Sequence, residues 1–281
     1  MIWQDIQAIR GNSPLVLNIT NYVVMNTTAN ALLALGASPV MAHAAEEMEE
    51  MAALAGALIL NIGTLSAPWI EAMLKAGREA GRRRVPIILD PVGCGATAFR
   101  TATARRLVEA LHPAVIRGNA SEIRALMRAD SATKGVDSLH SPDEVLEQAR
   151  ALSHAAACVV SVSGAVDLIV AGDRVARVRN GHPMMTRVTG MGCTASALTG
   201  AFAAVAADPF QAARHAMVVM GVAGEMAAER AAGPGSLQMH FLDTLYGLEE
   251  SDIQRRADAA DRGPQAGATQ PDSAAGPPSD A

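Results

Sequence analysis

The run Val188-Thr189-Gly190-Met191-Gly192-Cys193-Thr194-Ala195-Ser196-Ala197 sets two glycines, two positions apart, directly before a helix of small residues. Backbone N–H groups at such a helix start have no partner within the helix, and the helix dipole favours negative charge there. The stretch therefore reads as an anion site made by Gly190, Met191, Gly192 and Cys193. Cys193 stands where the helix begins, so the same field is expected to lower its thiol pKa and leave it as base or nucleophile beside a phosphoryl cradle. The residues also fit a turn that only lets a helix pack closely, with Cys193 a small buried apolar group. Taken alone, the run leaves both readings open.

Working outward, short apolar runs alternate with segments of helical period. Strands are expected at 15–19, 39–42, 57–61, 86–90, 114–117 and 158–162, and helices at 26–35, 46–55, 67–81 and 103–111. This alternation implies an α/β fold: a mainly parallel central sheet with helices on both faces and its sites at the carboxyl ends of the strands. Beyond Val162 the pattern becomes two runs, 166–171 and 175–179, joined by Gly172-Asp173, which reads as an edge hairpin. Helices are then expected at 193–207 and, starting on a proline, at 209–232. Gly233-Pro234-Gly235 breaks the second, and a last helix runs from about 236 to 248. After about Arg255, Ala, Gly, Pro, Asp, Gln and Ser replace the apolar periodicity. A single domain over 1–250 and a disordered tail over 251–281 are expected.

Composition narrows the class. The formal net charge is -5 with no basic stripe, which argues against a nucleic-acid partner. Apolar runs break before about 18 residues, so no membrane span is expected. The N-terminus lacks a basic region followed by an apolar core, as a signal peptide would need. Cys94, Cys158 and Cys193 have neither disulfide pairing nor metal spacing, which fits a cytoplasmic protein.

Chemistry-bearing residues fall at strand ends. Ile87-Ile88-Leu89-Asp90 closes a buried run on a carboxylate before a glycine-rich loop. Such an Asp can hold Mg²⁺ through water, although a turn cap uses the same residue. Arg117-Gly118-Asn119-Ala120-Ser121-Glu122 ends a strand and opens a helix. Asn119 and Glu122 have the spacing of a capping box, while a functional reading puts Glu122 near the metal and Arg117 on phosphate oxygens. Ser163 offers a hydroxyl at the next strand end. Asn18, Thr20 and Asn21 could bind an uncharged polar ligand or cap the next helix. Met41 suits the flexible wall of an apolar ring or a place in the core. His43 and His182 have no partner at metal spacing and read as surface or satisfied histidines.

These residues together resemble the hydroxyethylthiazole kinases of thiamine salvage, in the ribokinase-like superfamily. The resemblance runs from about Pro14 to Tyr246. It rests, in order, on Asn18-Ile19-Thr20-Asn21-Tyr22-Val23-Val24, Ala34-Leu35-Gly36-Ala37-Ser38-Pro39-Val40-Met41, Leu89-Asp90-Pro91-Val92-Gly93, Arg117-Gly118-Asn119-Ala120-Ser121-Glu122, Val188-Thr189-Gly190-Met191-Gly192-Cys193 and Gly233-Pro234-Gly235-Ser236. Sugar kinases of the superfamily usually carry Asp where Cys193 stands, and the cysteine looks like the thiazole kinase branch. The resemblance implies transfer of the ATP γ-phosphoryl group to the hydroxyl of 4-methyl-5-(2-hydroxyethyl)thiazole. It implies Cys193 as base beside that hydroxyl, with the N–H groups of Gly190 to Cys193 on the transferring phosphoryl. Asp90 and Glu122 would organise Mg²⁺, Arg117 and Ser163 would contact ATP, and Met41 and Gly190 would line the thiazole pocket. A homotrimer with the thiazole site between subunits is also implied.

Three positions depart from the family's usual residues: Leu17 for His, Thr27 for Phe and Ser163 for Thr, the last keeping the hydroxyl. A kinase for another small heterocyclic alcohol, hydroxymethylpyrimidine-like, is the nearest alternative. A Cys193-nucleophile hydrolase would need a histidine oriented on the thiol, and none of the seven is placed near it by sequence.

Overall fold

The computed structural model describes residues 1–127 and 142–262. Strands β1 (Leu15–Ile19), β2 (Ser38–Met41), β3 (Ala57–Asn61), β4 (Ile87–Asp90), β5 (Val115–Asn119), β6 (Val159–Ser163), β7 (Asp167–Ala171), β8 (Arg174–Val178) and β9 (Ala259–Arg262) form one sheet. Its order is β2-β1-β3-β4-β5-β6-β7-β8-β9. From β2 to β6 all neighbours are parallel, and from β6 to β9 they are antiparallel. The mainly parallel sheet and the edge hairpin are both as the periodicity implies. In the parallel part, long apolar runs are buried throughout, as sheets covered on both faces require: β3 and β4 have no exposed position.

Alternate strand residues feed two cores. Val16, Ile59, Ile88 and Val115 face one side, covered by α1 (Ile2–Asn12), α2 (Met25–Leu35), α8 (Met191–Ala203), α9 (Pro209–Arg230) and α10 (Pro234–Gly247). Leu17, Leu58, Leu60, Leu89 and Ile116 face the other, covered by α3 (Met48–Leu54), α4 (Ala67–Arg83), α5 (Ala98–Leu111), α6 (Ala120–Met127) and α7 (Pro142–Ala156). From Thr194 to Ala203, α8 is buried at every position. Its small side chains let it lie close on β3 and β4 and bring its first turn to their carboxyl ends. The chain turns one way from β1 to β2 and the other way to β3, so a crevice opens between the ends of β1 and β3.

Two expectations need correction. The helix expected at 193–207 begins two residues earlier, with Gly190 in the left-handed region as its cap, and ends at Ala203. The tail does not start at residue 251. A further helix, α11 (Glu250–Arg256), packs through buried Ile253, and β9 pairs with β8 at the sheet edge. Ala259-Ala260-Asp261-Arg262 carries no β-branched or aromatic signal, because an edge strand can be recruited by main-chain hydrogen bonds alone. Residues 263–281 lie outside the described residues. Ending the chain at Arg256 is therefore expected to cost about 2 kcal/mol, or roughly 4–8 °C in melting temperature. Scanning calorimetry checks this, and an unchanged transition would show β9 to be dispensable.

Among the described residues no helix is long and apolar enough to cross a membrane.

Candidate active site

The end of β1 passes directly into Asn21, β3 ends on Asn61 and β4 on Asp90, all three side chains buried. They form a relay with the first turns of α8. Asn21 Nδ2 donates to Asn61 Oδ1 at 2.9 Å and to Cys193 Sγ at 3.5 Å. Asn61 Nδ2 donates to Asp90 Oδ2 at 3.0 Å, and Ser196 Oγ donates to the same oxygen at 2.6 Å. Cys193 and Ser196 lie three apart on one helix face, so the helix delivers thiol and hydroxyl to the relay together. Neither Asn61 nor Ser196 stands out in the sequence. The signal for Asn61 is present all the same: it closes a buried run as Asp90 does.

Arg117 is buried in the middle of β5, beside the first turns of α8. Its Nη1 reaches Ser196 Oγ at 3.5 Å, its Nη2 donates to Ser163 Oγ, and its Nε has no hydrogen-bond partner among the described residues. A buried cation with an unused donor, set against Gly192, suits an incoming phosphate oxygen. Arg117, Ser163, Gly190, Met191 and Gly192 line a cleft of about 660 Å³. Its far wall is residues 179–186, and Met217 and Met220 of α9 close it. The volume suits a nucleotide-sized ligand. A larger cleft, about 950 Å³, lies at the opposite ends of the strands among Arg78, Arg82, Arg84 and His112. Arg82 and Arg84 sit at the carboxyl end of α4, where the helix dipole favours positive charge, and none of Asn21, Asp90, Arg117 or Cys193 lines this larger cleft.

Glu122 lies at the start of α6. Its Oε2 accepts from Asn119 N at 2.8 Å and Asn119 Oδ1 accepts from Glu122 N at 3.0 Å, a reciprocal capping box. Its Oε1 accepts from Gly93 N at 2.8 Å, tying the loop after β4 to α6. Capping is thus real, and the carboxylate remains close enough to Asp90 to raise its pKa. Among the described residues no group of three metal-ligating side chains converges. Asp90 and Glu122 do not line the cleft themselves, but Asp90 interacts with Glu122 and with Arg117, which does. Such a pair fits Mg²⁺, which uses one or two carboxylates, water and substrate phosphates rather than a cage of protein ligands.

Burial governs the electrostatics. Asp90 is pushed up to about 6, chiefly by desolvation and then by Glu122, with Arg117, Ser196 and Asn61 pulling it back. The Cys193 thiol is pushed up to about 11, first by desolvation and second by the Asp90 carboxylate. This corrects the expected lowering at the helix start. The dipole is present, but the thiol points inward to a carboxylate rather than outward to solvent, and the amides of Asn61 and Asn21 only partly offset that. Cys193 therefore carries its proton at neutral pH.

The remaining residues are placed more plainly. Gly190 lies against Val24 of the β1–α2 connection. Met41 ends the edge strand β2 half-buried, in register with Asn18, and is not among the cleft-lining residues. His182 caps the turn at Pro183–Arg187 by accepting from Met184 N at 3.2 Å, and its exposed ring lines the cleft. His43 packs against Trp69, ring centroids 4.6 Å apart. Among the described residues the hydrogen-bond partners of Cys193 are the amides of Asn21 and Asn61, and no histidine is paired with the thiol as a cysteine-nucleophile hydrolase would need.

A three-layer α/β sandwich with this crevice is a ribokinase-like kinase fold. A ribokinase-like superfamily protein from Enterococcus faecalis superposes with TM-score 0.60 at 14% identity, covering 85% of this chain and 88% of its own. That likeness carries the fold alone. The chain belongs to the hydroxyethylthiazole kinase family, whose family model matches residues 6–251. It is 56% identical over 255 residues to the hydroxyethylthiazole kinase of Nitratidesulfovibrio vulgaris (strain Miyazaki F), covering 91% of this chain and 96% of the relative. It is 58% identical over 255 residues to that of Syntrophus aciditrophicus, covering 90% and 94%. The crystal structure of the Pyrococcus horikoshii hydroxyethylthiazole kinase matches with TM-score 0.86 at 44% identity, over 93% of this chain and 99% of that one.

Proposed function

We propose that this chain transfers the γ-phosphoryl group of ATP to the primary hydroxyl of 4-methyl-5-(2-hydroxyethyl)thiazole, as a step of thiamine salvage. The observation that carries the reading is the convergence, at one crevice, of the Gly190 to Cys193 turn, buried Arg117 with its unused Nε, and the relay Asn21–Asn61–Asp90 ending on the thiol.

In this reading ATP occupies the 660 Å³ cleft with its phosphates toward α8, contacted by Arg117 and Ser163. The N–H groups of Gly190, Met191, Gly192 and Cys193 face the transferring phosphoryl. Asp90 and Glu122 would hold Mg²⁺, which when bound would neutralise phosphate charge. The thiazole alcohol sits on the β1–β2 side, between Gly190 and Met41, with its hydroxyl against Cys193. Because the thiol is protonated in the free enzyme, Cys193 positions the hydroxyl by hydrogen bonding, while Asn21 orients the sulfur. The alcohol proton leaves late, as the P–O bond forms, and passes to an oxygen of the transferred phosphoryl group, so Cys193 need not accept it. The family resemblance and the exposed apolar side chains of Tyr22, Val23 and Leu33 support a homotrimer, and the three free cysteines suit the cytoplasm.

Mass spectrometry with Mg-ATP and a panel of heterocyclic alcohols tests the reaction. Thiazole phosphate and ADP are the expected products, and phosphorylation of hydroxymethylpyrimidine instead would move the assignment. Cys193→Ser is expected to lower kcat by about tenfold to a hundredfold, the scale of a slightly misplaced acceptor hydroxyl. A loss beyond about 10⁴-fold, or a covalent adduct on Cys193 by intact mass, would make it a nucleophile.

A further inference from the structure

The wall of the nucleotide cleft has no regular structure before the short turn at Pro183–Arg187, yet it is held from two sides through one residue. Asn180 Nδ2 donates to Glu225 Oε1 of α9 at 3.0 Å and to the Arg256 carbonyl at 2.7 Å, and its Oδ1 accepts from Asp258 N at 2.8 Å. All the side chain's polar atoms are thus committed to residues that do not line the cleft: Glu225, Arg256 and Asp258. Two neighbouring contacts tighten the same splice. Gly181 N donates to Glu225 Oε1 at 2.8 Å, and Arg179 N donates to the Asp258 carbonyl at 2.9 Å.

The α9 face under this wall is bare. A Cβ at Gly221 would stand 2.4 Å from Asn180 Cβ and 2.6 Å from its carbonyl carbon, and one at Gly224 would stand 2.2 Å from Met185 Sδ. Both helix glycines are therefore spaces the wall fills. Arg179, Asn180, Gly181, His182, Met185 and Thr186 line the cleft on the other side.

We propose that Asn180 is a positioning residue for the nucleotide, joining the cleft wall to Glu225 and to the C-terminal segment that runs into β9. The inference rests on the reading that ATP occupies this cleft. It makes the chain from Arg256 to Arg262 part of the nucleotide site without placing it in contact with the reacting atoms. The thiazole side, built from β1, β2 and the first turn of α8, shares none of these hydrogen bonds. The signature of a positioning role is therefore a split between the substrates: the wall's disorder is met each time ATP binds, and the alcohol is unaffected.

The test is full steady-state kinetics on the full-length chain. Asn180→Ala is expected to raise KM for ATP about tenfold, with kcat and KM for the thiazole alcohol within about twofold of wild type. Glu225→Ala is expected to reproduce that split, and to carry the test if Asn180→Ala fails to fold. Glu225→Gln, which keeps the accepting Oε1, is expected to rescue it. Equal rises in both KM values, or unchanged constants in Asn180→Ala and Glu225→Ala, would overturn the inference. Arg117→Met separates the two levels. If it raises KM for ATP while Asn180→Ala does not, the positioning role alone falls. If it leaves KM for ATP unchanged, the nucleotide does not use this cleft, and the proposed site falls with the inference.

Discussion

Asp90→Asn is expected to lose at least about a thousandfold in kcat and yet to melt higher than wild type at neutral pH. In the proposed function Asp90 would hold a divalent cation, and the loss would follow from removing that charge, worth several kcal/mol in the transition state. The gain follows from burial. Asp90 rises from the ordinary 3.8 to about 6 in the fold, a value that already includes the attraction of Arg117 and the hydrogen bonds from Ser196 and Asn61. A raised pKa means that the fold disfavours the carboxylate. The associated stability is fully present below the unfolded value near pH 4 and is lost as pH rises through about 6. Asn removes that penalty while keeping an oxygen to accept from Ser196 and Asn61. Above pH 6 the substitution should stabilise the ligand-free protein by about 1–3 kcal/mol. Below pH 4 the two proteins should melt together. Calorimetry across pH checks the sign. A variant less stable than wild type at pH 7 would show that neutralising Asp90 leaves Arg117 without compensation.

Gly190→Ala is expected to cost about 2–3 kcal/mol of stability and at least about a hundredfold in kcat/KM. Gly190 caps α8 at φ 83°, a conformation that an L side chain adopts only with strain. Its Cβ would also stand 2.6 Å from Val24 Cγ1. Val24 is buried and β-branched, so it has little freedom to turn away. The cap must then move, and the N–H groups of residues 190–193 move with it. Gly192→Ala is the comparison. A Cβ there meets Arg117 Nη1 at 3.4 Å, an ordinary contact. It should leave stability within about 0.5 kcal/mol, as changes away from strain and packing usually do. Denaturant unfolding with initial rates on both variants separates the two. Equal stability losses would mean that the turn's backbone, not the Val24 contact, limits this site.

The sequence by itself determined the layered α/β class, the order of its strands along the chain and most of the strand-end residues. Burying a parallel strand on both faces demands an uninterrupted apolar run, and a helix on that sheet demands a 3.6-residue period. Both patterns survive in linear form, which is why Asp90, Arg117, Ser163 and the Gly190 to Cys193 turn stand out in the sequence. The capping box at Asn119 and Glu122 was legible for a similar reason, its partners being three residues apart.

What only the tertiary structure decided depends on contacts between distant segments. Asn61 joins Asn21 to Asp90 across β1, β3 and β4, which become neighbours only because β2 lies on the outer side of β1. The direction of the Cys193 pKa is set by a carboxylate 103 residues away in sequence and by loss of water, neither visible at a helix start. The place of β9 was hidden because edge pairing is made by backbone groups that every residue shares. Asn180 had no local signal either, since its partners come from α9 and the C-terminal segment. Local periodicity is written in neighbouring residues; desolvation, edge pairing and long-range hydrogen bonds exist only once the chain has closed on itself.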